Sequence, residues 1–346
     1  MLIIELKRTN NQPWQLGAIL GTGVLTVALS LTALCLGRYE LSIIDVVKIL
    51  LSAFWDLQQT WTDAMADVVF QVRLPRVFAA LLVGAGLAIS GTTYQGIFKN
   101  PLVSPDLLGV SSGACVGAAL AILNGLDAGG IQICALLGGL LAVAITTTIP
   151  KLLRNSSNLI LVLAGIIVAG FMSSALGLLK YVADPETQLP EIVFWQMGSL
   201  ATTSMGDVMM IVPAMLISMA LLIAVRWRIN ILSLGDEEAG SLGINIRVIR
   251  GLAIVCSTVT TACAVCISGT VGWIGLVVPH LCRMLVGPDN TRVIPLSIFV
   301  GASFMLVVDT VARTVTSGEI PLSILTGFIG APLYGWLLFK QRMKIK

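Results

Sequence analysis

VFAALLVGAGLAISGTTYQGIF, the stretch from Val77 to Phe98, holds no Asp, Glu, Lys or Arg. Roughly 20 apolar residues are what a helix needs to cross the hydrocarbon core of a bilayer. The run is continuous, without the strict polar alternation of a membrane barrel strand, so it predicts a transmembrane helix. Similar charge-free windows run from Thr9 to Gly37, Leu107 to Leu126, Ala128 to Pro150, Asn155 to Leu179, Val208 to Val225 and Ile320 to Phe339. Gly251 to Cys282 is too long for one span and breaks around Gly269, Gly272 and Gly275, giving two. Val293 to Val308, continued through Asp309 toward Arg313, supplies the last. The expectation is an all-α polytopic membrane protein of about ten transmembrane helices. With 56% hydrophobic and 11% charged residues, a soluble fold is excluded.

Basic residues set the orientation. With both termini in the cytoplasm, all but six of the 21 Lys and Arg face inward, the exceptions being Arg38, Lys48, Arg73, Arg76, Lys180 and Arg313. The net charge of +3 therefore reflects topology and not nucleic-acid binding. Lys7 and Arg8 before an apolar run resemble a signal peptide, but the later spans favour an anchor. Leu34 occupies the place where lipoprotein cleavage before Cys35 wants a small residue. All seven cysteines lie in or beside spans, and Cys263 and Cys266 have no His or carboxylate nearby, so neither disulfides nor a metal site is expected.

Shifting the chain by 178 residues lays Ile89, Ser90, Gly91 and Thr92 on Ile267, Ser268, Gly269 and Thr270, and Pro101 on Pro279. This pairs spans 2 and 3 with spans 7 and 8. Five spans separate the copies, so the halves cross in opposite directions: a 5+5 inverted repeat, with half-repeats of about 14–182 and 206–340 inside a single transmembrane domain, residues 1–346. Transporters use such halves to enclose a pathway. Two outer segments, around Ile43 to Trp55 and Asp184 to Asp207, predict short surface helices. The inner segment 226–250 reads as two short helices joined near Leu242 and Gly243.

No phosphate-cradling G-x-x-x-x-G-K-[ST] pattern occurs, so ATP use needs another subunit. The single histidine, His280, has no partner cluster for metal binding or catalysis. No catalytic or metal residues are assigned, and the chain reads as a non-enzyme.

Four long motifs then appear in order. Arg73, Leu74, Pro75 and Arg76 lead into Leu81 to Gly91; Asn100, Pro101 and Leu102 precede Pro105, Leu108, Gly109 and Val110. Gly272 to Arg283 reads GWIGLVVPHLCR, and Asp309 to Arg313 is followed by Glu319 to Pro321. Together they resemble the permeases of ABC importers for iron-siderophores, haem and cobalamin, over nearly the whole chain. Val308 stands where that family has Ala.

The resemblance implies a homodimer in the cytoplasmic (inner) membrane of a bacterium or archaeon. Two ATP-binding subunits using ATP and Mg would act from inside, and a periplasmic or lipid-anchored substrate-binding protein from outside. Arg73, Arg76 and Arg313 would pair with carboxylates of that protein, a role arginine's bidentate geometry suits; Asp309 and Arg313, four apart, are also spaced to satisfy each other. Asp236, Glu237, Glu238, Ala239, Gly240 and Gly243 would couple to the ATPase. Asn100, Leu102, Ser156 and Ser157 would form a cytoplasmic gate. The expected cargo is a metal chelate; the alternatives are an oxyanion such as molybdate, or an ion-coupled secondary transporter. The last would want ionisable residues deep in the membrane, whereas Asp106, Asp207, Asp309 and Glu319 are expected near span ends. An intramembrane enzyme would need a His, Ser or carboxylate cluster at mid-depth.

Overall fold

The computed structural model describes residues 12–154, 158–316 and 318–342, all helix and connecting turns. The elements are α1 (Gln12–Cys35), α2 (Ile43–Ser52), α3 (Asp63–Phe98), α4 (Val110–Leu123), α5 (Ala128–Leu152), α6 (Asn158–Val182), α7 (Gln188–Met197), α8 (Met205–Ala224), α9 (Arg226–Leu232), α10 (Asp236–Ser241), α11 (Ile246–Ser268), α12 (Ile274–Val286), α13 (Asn290–Thr314) and α14 (Leu322–Arg342). Among the described residues, seven helices are long and apolar enough to cross a membrane; Val110–Leu123, Ile274–Val286 and Leu322–Leu337 are shorter apolar helices.

In lipid every backbone and hydroxyl group must find a partner within the protein. On α1 the hydroxyls of Thr22, Thr26 and Ser30 donate to carbonyls one turn back, at 2.9, 2.8 and 2.8 Å. Thr26 also meets Ser303 Oγ at 2.9 Å, which fastens α1 to α13. The centre of the bundle is α3, packed against α8, α11, α12 and α13. Every residue of it from Val83 to Phe98 is buried. A helix apolar on all sides belongs in the middle, and this is why the stretch that decided the fold carries no charge.

α3 begins well before the expected window. It takes in Asp63, Asp67, Arg73 and Arg76, with a π-helical turn over Val68–Arg73. Charge had marked the membrane boundary, but a helix continues past it where side chains find internal partners. The third span is also corrected. Residues 107–126 do not form one full helix: a 3-10 turn over Pro105–Leu108 ends at Gly109, φ 84°, and only Val110–Leu123 is helical beyond it.

The two short helices stand third in each set of five, α4 after α1 and α3, α12 after α8 and α11. Their starts meet inside the protein. A Cβ on Gly91 of α3 would overlap the Gly275 carbonyl, and one on Gly275 would run into Pro105. From that junction α4 runs to the end carrying α7, and α12 to the end carrying α9 and α10. Both are short helices, of 14 and 13 residues, that begin inside the bundle, where unpaired backbone is tolerated only if protein encloses it. The halves correspond in helix order, but not in the register of the 178-residue shift: Pro101 lies in a loop, while Pro279 lies inside α12. The agreement of Ser-Gly-Thr triplets is a local likeness.

The inner segment is corrected as well. Its two short helices, α9 and α10, join at Ser233–Gly235. Gly243, φ 74°, closes the second: its N–H bonds Gly240 O at 3.0 Å and the Ile244 N–H bonds Ala239 O at 3.1 Å.

Candidate functional site

The three outer arginines lie together but inside. Arg73, Arg76 and Arg313 are 3%, 5% and 8% exposed. Arg73 Nη1 donates to the carbonyls of Leu34 and Cys35 at 2.6 and 2.8 Å, and its Nη2 to Tyr39 O, so it caps the end of α1. Arg313 does the same from α13, donating to Leu36 O at 2.8 Å and to Ala33 O. Helix ends leave carbonyls unpaired, and a forked guanidinium satisfies two at once.

Arg76 is bound to carboxylates instead. Its Nε reaches Asp309 at 2.9 and 3.0 Å, and its two terminal nitrogens reach Glu319 at 2.7 and 3.0 Å. Arg313 Nε stands 3.7 Å from Asp309, too long for a hydrogen bond but close enough to share its charge. The expected i,i+4 pairing of Asp309 and Arg313 is thus present, with Arg76 as the stronger partner.

Asp309 is 2% exposed and neutralised, and Asp207 caps α8 through a reciprocal box with Ser204. Asp106 sits in the 3-10 turn that precedes α4 and accepts from Ser111 Oγ. The proline and glycine flanking that turn carry the chain back into the bundle, which a charge-based boundary does not register.

At the opposite end, α10 rests on Ala239, which is fully buried, and exposes Asp236, Glu237, Glu238, Gly240, Ser241, Leu242 and Gly243. Leu234 and Leu242 are 66% and 61% exposed here. Acidic side chains and two exposed leucines thus share one surface, the mixed apolar and polar composition that protein interfaces use. The leucines were legible only as loop residues, since α10 is too short to show periodicity. Arg250 Nη2 donates to both carboxylate oxygens of Asp236, at 2.8 and 3.0 Å, and Lys99 Nζ lies 3.4 Å from one of them. The two cations hold its carboxyl below the usual aspartate range, against the opposing effect of burial.

Asn100 accepts the Leu102 N–H at 2.9 Å, fixing a turn whose tip, Leu102, is 59% exposed. Ser156 and Ser157 lie outside the described residues. Next to them Asn158 Nδ2 reaches Ile97 O at 3.4 Å, so the start of α6 meets the end of α3 beside that turn.

One central residue escaped the sequence reading. Gln95, the lone amide in the Val77 to Phe98 stretch, is 4% exposed. It donates to Val103 O and Gly275 O at 3.2 and 3.3 Å, and accepts from Arg283. It therefore ties α3 to the loop at Val103 and to both ends of α12. At the other junction Gly198 and Gly269, both at positive φ, pack backbone to backbone, and Thr270 Oγ1 donates to Gln196 O at 2.6 Å.

A sequence profile described as the FecCD transport family matches residues 25–340. The molybdate import system permease protein MolB of Haemophilus influenzae is 42% identical over 324 residues, 94% of this chain and 96% of that one. The hemin transport system permease protein HmuU of Yersinia pestis is 38% identical over 326 residues, 92% and 94% of the two chains. A solved structure described as an inward-facing metal-chelate type ABC transporter superposes with a TM-score of 0.83 at 42% identity, covering 93% of this chain and 98% of that one.

Proposed function

Because this chain belongs to the FecCD transport family and is a permease of an ABC importer, we propose that it moves a metal chelate of the iron-siderophore, haem or cobalamin type into the cytoplasm. The family match is the observation that carries the reading, since it runs unbroken from α1 to α14 and takes in α10 with its exposed acids and leucines. Two copies line the pathway, two ATP-binding subunits seat on α10, and an external binding protein delivers the cargo. ATP and Mg are held by the ATPase. Both termini lie on the cytoplasmic side, in keeping with the basic-residue count.

Docking of the binding protein falls to the end where Arg73, Arg76 and Arg313 lie. These side chains already have internal partners, so an incoming carboxylate displaces one of them. Glu319, with a side chain 29% exposed against 2% for Asp309, is the partner open to exchange.

A second reading is favoured by the Haemophilus relative: an oxyanion such as molybdate. Proteoliposomes holding the permease, its ATPase and its binding protein decide between them. Accumulation of a ferric siderophore, haem or cobalamin, unaffected by excess molybdate, supports the chelate reading; molybdate accumulation with none of the chelates overturns it.

A further inference from the structure

α2 (Ile43–Ser52) is the short outer helix that the importer reading leaves without a role. Ser42 sets where it starts: its hydroxyl accepts the Asp45 N–H at 3.1 Å and donates to the Asp45 carboxylate at 2.7 Å. The helical path continues past Ser52, where the N–H groups of Phe54 and Trp55 both reach Leu51 O at 3.0 Å. One face is fully buried through Val46 and Ile49, and the helix packs on α1 and on the π-helical turn of α3. Arg73 in that turn binds the carbonyls of Leu34 and Cys35, so α2 lies level with the end of the first span.

A second face is apolar too, yet the described residues leave it uncovered. Ile43, Ile44, Val47, Leu51, Phe54 and Trp55 are all exposed, Phe54 to 80% and Trp55 to 62%. At about 100° per residue these six fall within roughly a third of the circumference. Asp45, Lys48 and Ser52 fill a narrow polar strip between this stripe and the buried face, and Lys48 Nζ donates to Thr60 Oγ1 at 3.1 Å. A helix bathed in water turns polar side chains outward. One that is apolar on two sides, with a single polar strip, suits a boundary where one face meets protein, one meets lipid and the strip meets water. The only polar side-chain atom on the stripe is the Trp55 indole nitrogen, and tryptophan favours the headgroup level of a bilayer.

We propose that α2 is an interfacial helix whose partner is the lipid of the outer leaflet, with the stripe from Ile43 to Trp55 set among headgroups and upper acyl chains. α1 also exposes Leu20, Val24, Val27 and Leu31, and the stripe extends that apolar surface past the end of the span. It carries no charge to match the carboxylates of a docking protein, whereas aliphatic and aromatic side chains are what a lipid surface takes up. Lipid thereby holds the end of α1, and with it the carbonyls capped by Arg73 and Arg313, at a fixed level.

The test is photocrosslinking in vesicles of phosphatidylethanolamine and phosphatidylglycerol, with the permease, its ATPase and its binding protein all present. A benzophenone amino acid is placed at position Phe54 and, separately, at Lys48, and mass spectrometry identifies what each captures. The Phe54 position is expected to yield a phospholipid adduct, and the Lys48 position to lose most of it. A second measurement needs no crosslinker. Emission from Trp55, taken as the difference between wild type and Trp55→Phe, is expected to be quenched in vesicles of brominated phosphatidylcholine and spared by aqueous acrylamide. Trp55 is exposed, so its replacement leaves the core untouched. Capture of the binding protein or of a second copy at the Phe54 position, in place of lipid, overturns the proposal. Equal lipid capture at both positions does so as well, as does Trp55 emission that acrylamide quenches and bromine leaves unchanged.

Discussion

Arg76 and Asp309 come from opposite halves of the chain and meet with the Arg76 Nε 2.9 and 3.0 Å from the two carboxylate oxygens, both side chains almost wholly buried. The pair clamps the start of the buried span α3 to the end of α13, and Glu319 closes the other side of the same guanidinium. A buried ion pair of this kind is poor evidence of net stabilisation, but removing one partner strands a charge.

Arg76→Met, which strands Asp309 and leaves Glu319 without its partner, is therefore expected to cost about 3–5 kcal/mol; Asp309→Leu costs less, because Arg76 keeps both bonds to Glu319, and the double variant costs less than Arg76→Met alone. Thermal unfolding in detergent reads this directly. Arg76→Lys is also expected to destabilise, since one ammonium cannot serve two carboxylates bidentately. Single variants that melt like the wild type contradict the clamp.

Gln95→Leu keeps roughly the same volume in the core of α3 but leaves Arg283 and the carbonyls of Val103 and Gly275 without their partner. Each buried group so stranded costs about 1–3 kcal/mol. The expected outcome is a loss of stability of a few kcal/mol, with protease sensitivity appearing first in the 99–109 segment. Gln95→Glu, which can still accept from Arg283, is expected to fall between the two.

Gly91 and Gly170 are both glycines in long helices and are predicted to behave oppositely. A side chain at Gly91 collides with the Gly275 backbone, while one at Gly170 meets nothing within 4 Å. Gly91→Val is expected to abolish the monodisperse peak in size-exclusion chromatography. Gly170→Ala is expected to leave the melting temperature close to wild type, within about 0.5 kcal/mol.

Asp236 predicts a pH dependence of definite sign. Its carboxyl is held below the usual aspartate value by Arg250 and Lys99. The contribution to stability is therefore complete above the unfolded value near ~3.9 and is lost as pH falls through the lower folded value. The group is about half exposed, so the effect is under about 1 kcal/mol. Comparing the melting of wild type and Asp236→Asn across this range checks it: the difference should be constant at neutral pH and vanish in acid.

The helices themselves were legible because hydropathy acts over some twenty residues at once, and lipid allows no other way to satisfy the backbone. The break after Ser268 was legible from its glycines. What sequence could not convey was depth. Asp106 marked the boundary of the third span, but not that Pro105 and Gly109 would set it in a 3-10 turn ahead of a shortened helix. The arginines stood out because they oppose the positive-inside bias, but their partners within the chain did not. In fact Arg73 and Arg313 are spent on carbonyls of α1, a partner remote in sequence that no local spacing reveals. Gln95 stood out in composition but not in pattern, since its role depends on a loop and a helix that come together only in the fold.

ATP hydrolysed in a separate subunit is proposed to drive this permease, and uptake of labelled cargo into proteoliposomes containing the assembled complex tests that proposal. The predicted result is uptake that collapses when internal ATP is depleted and survives a protonophore. Uptake that persists without ATP and collapses with the protonophore would contradict it.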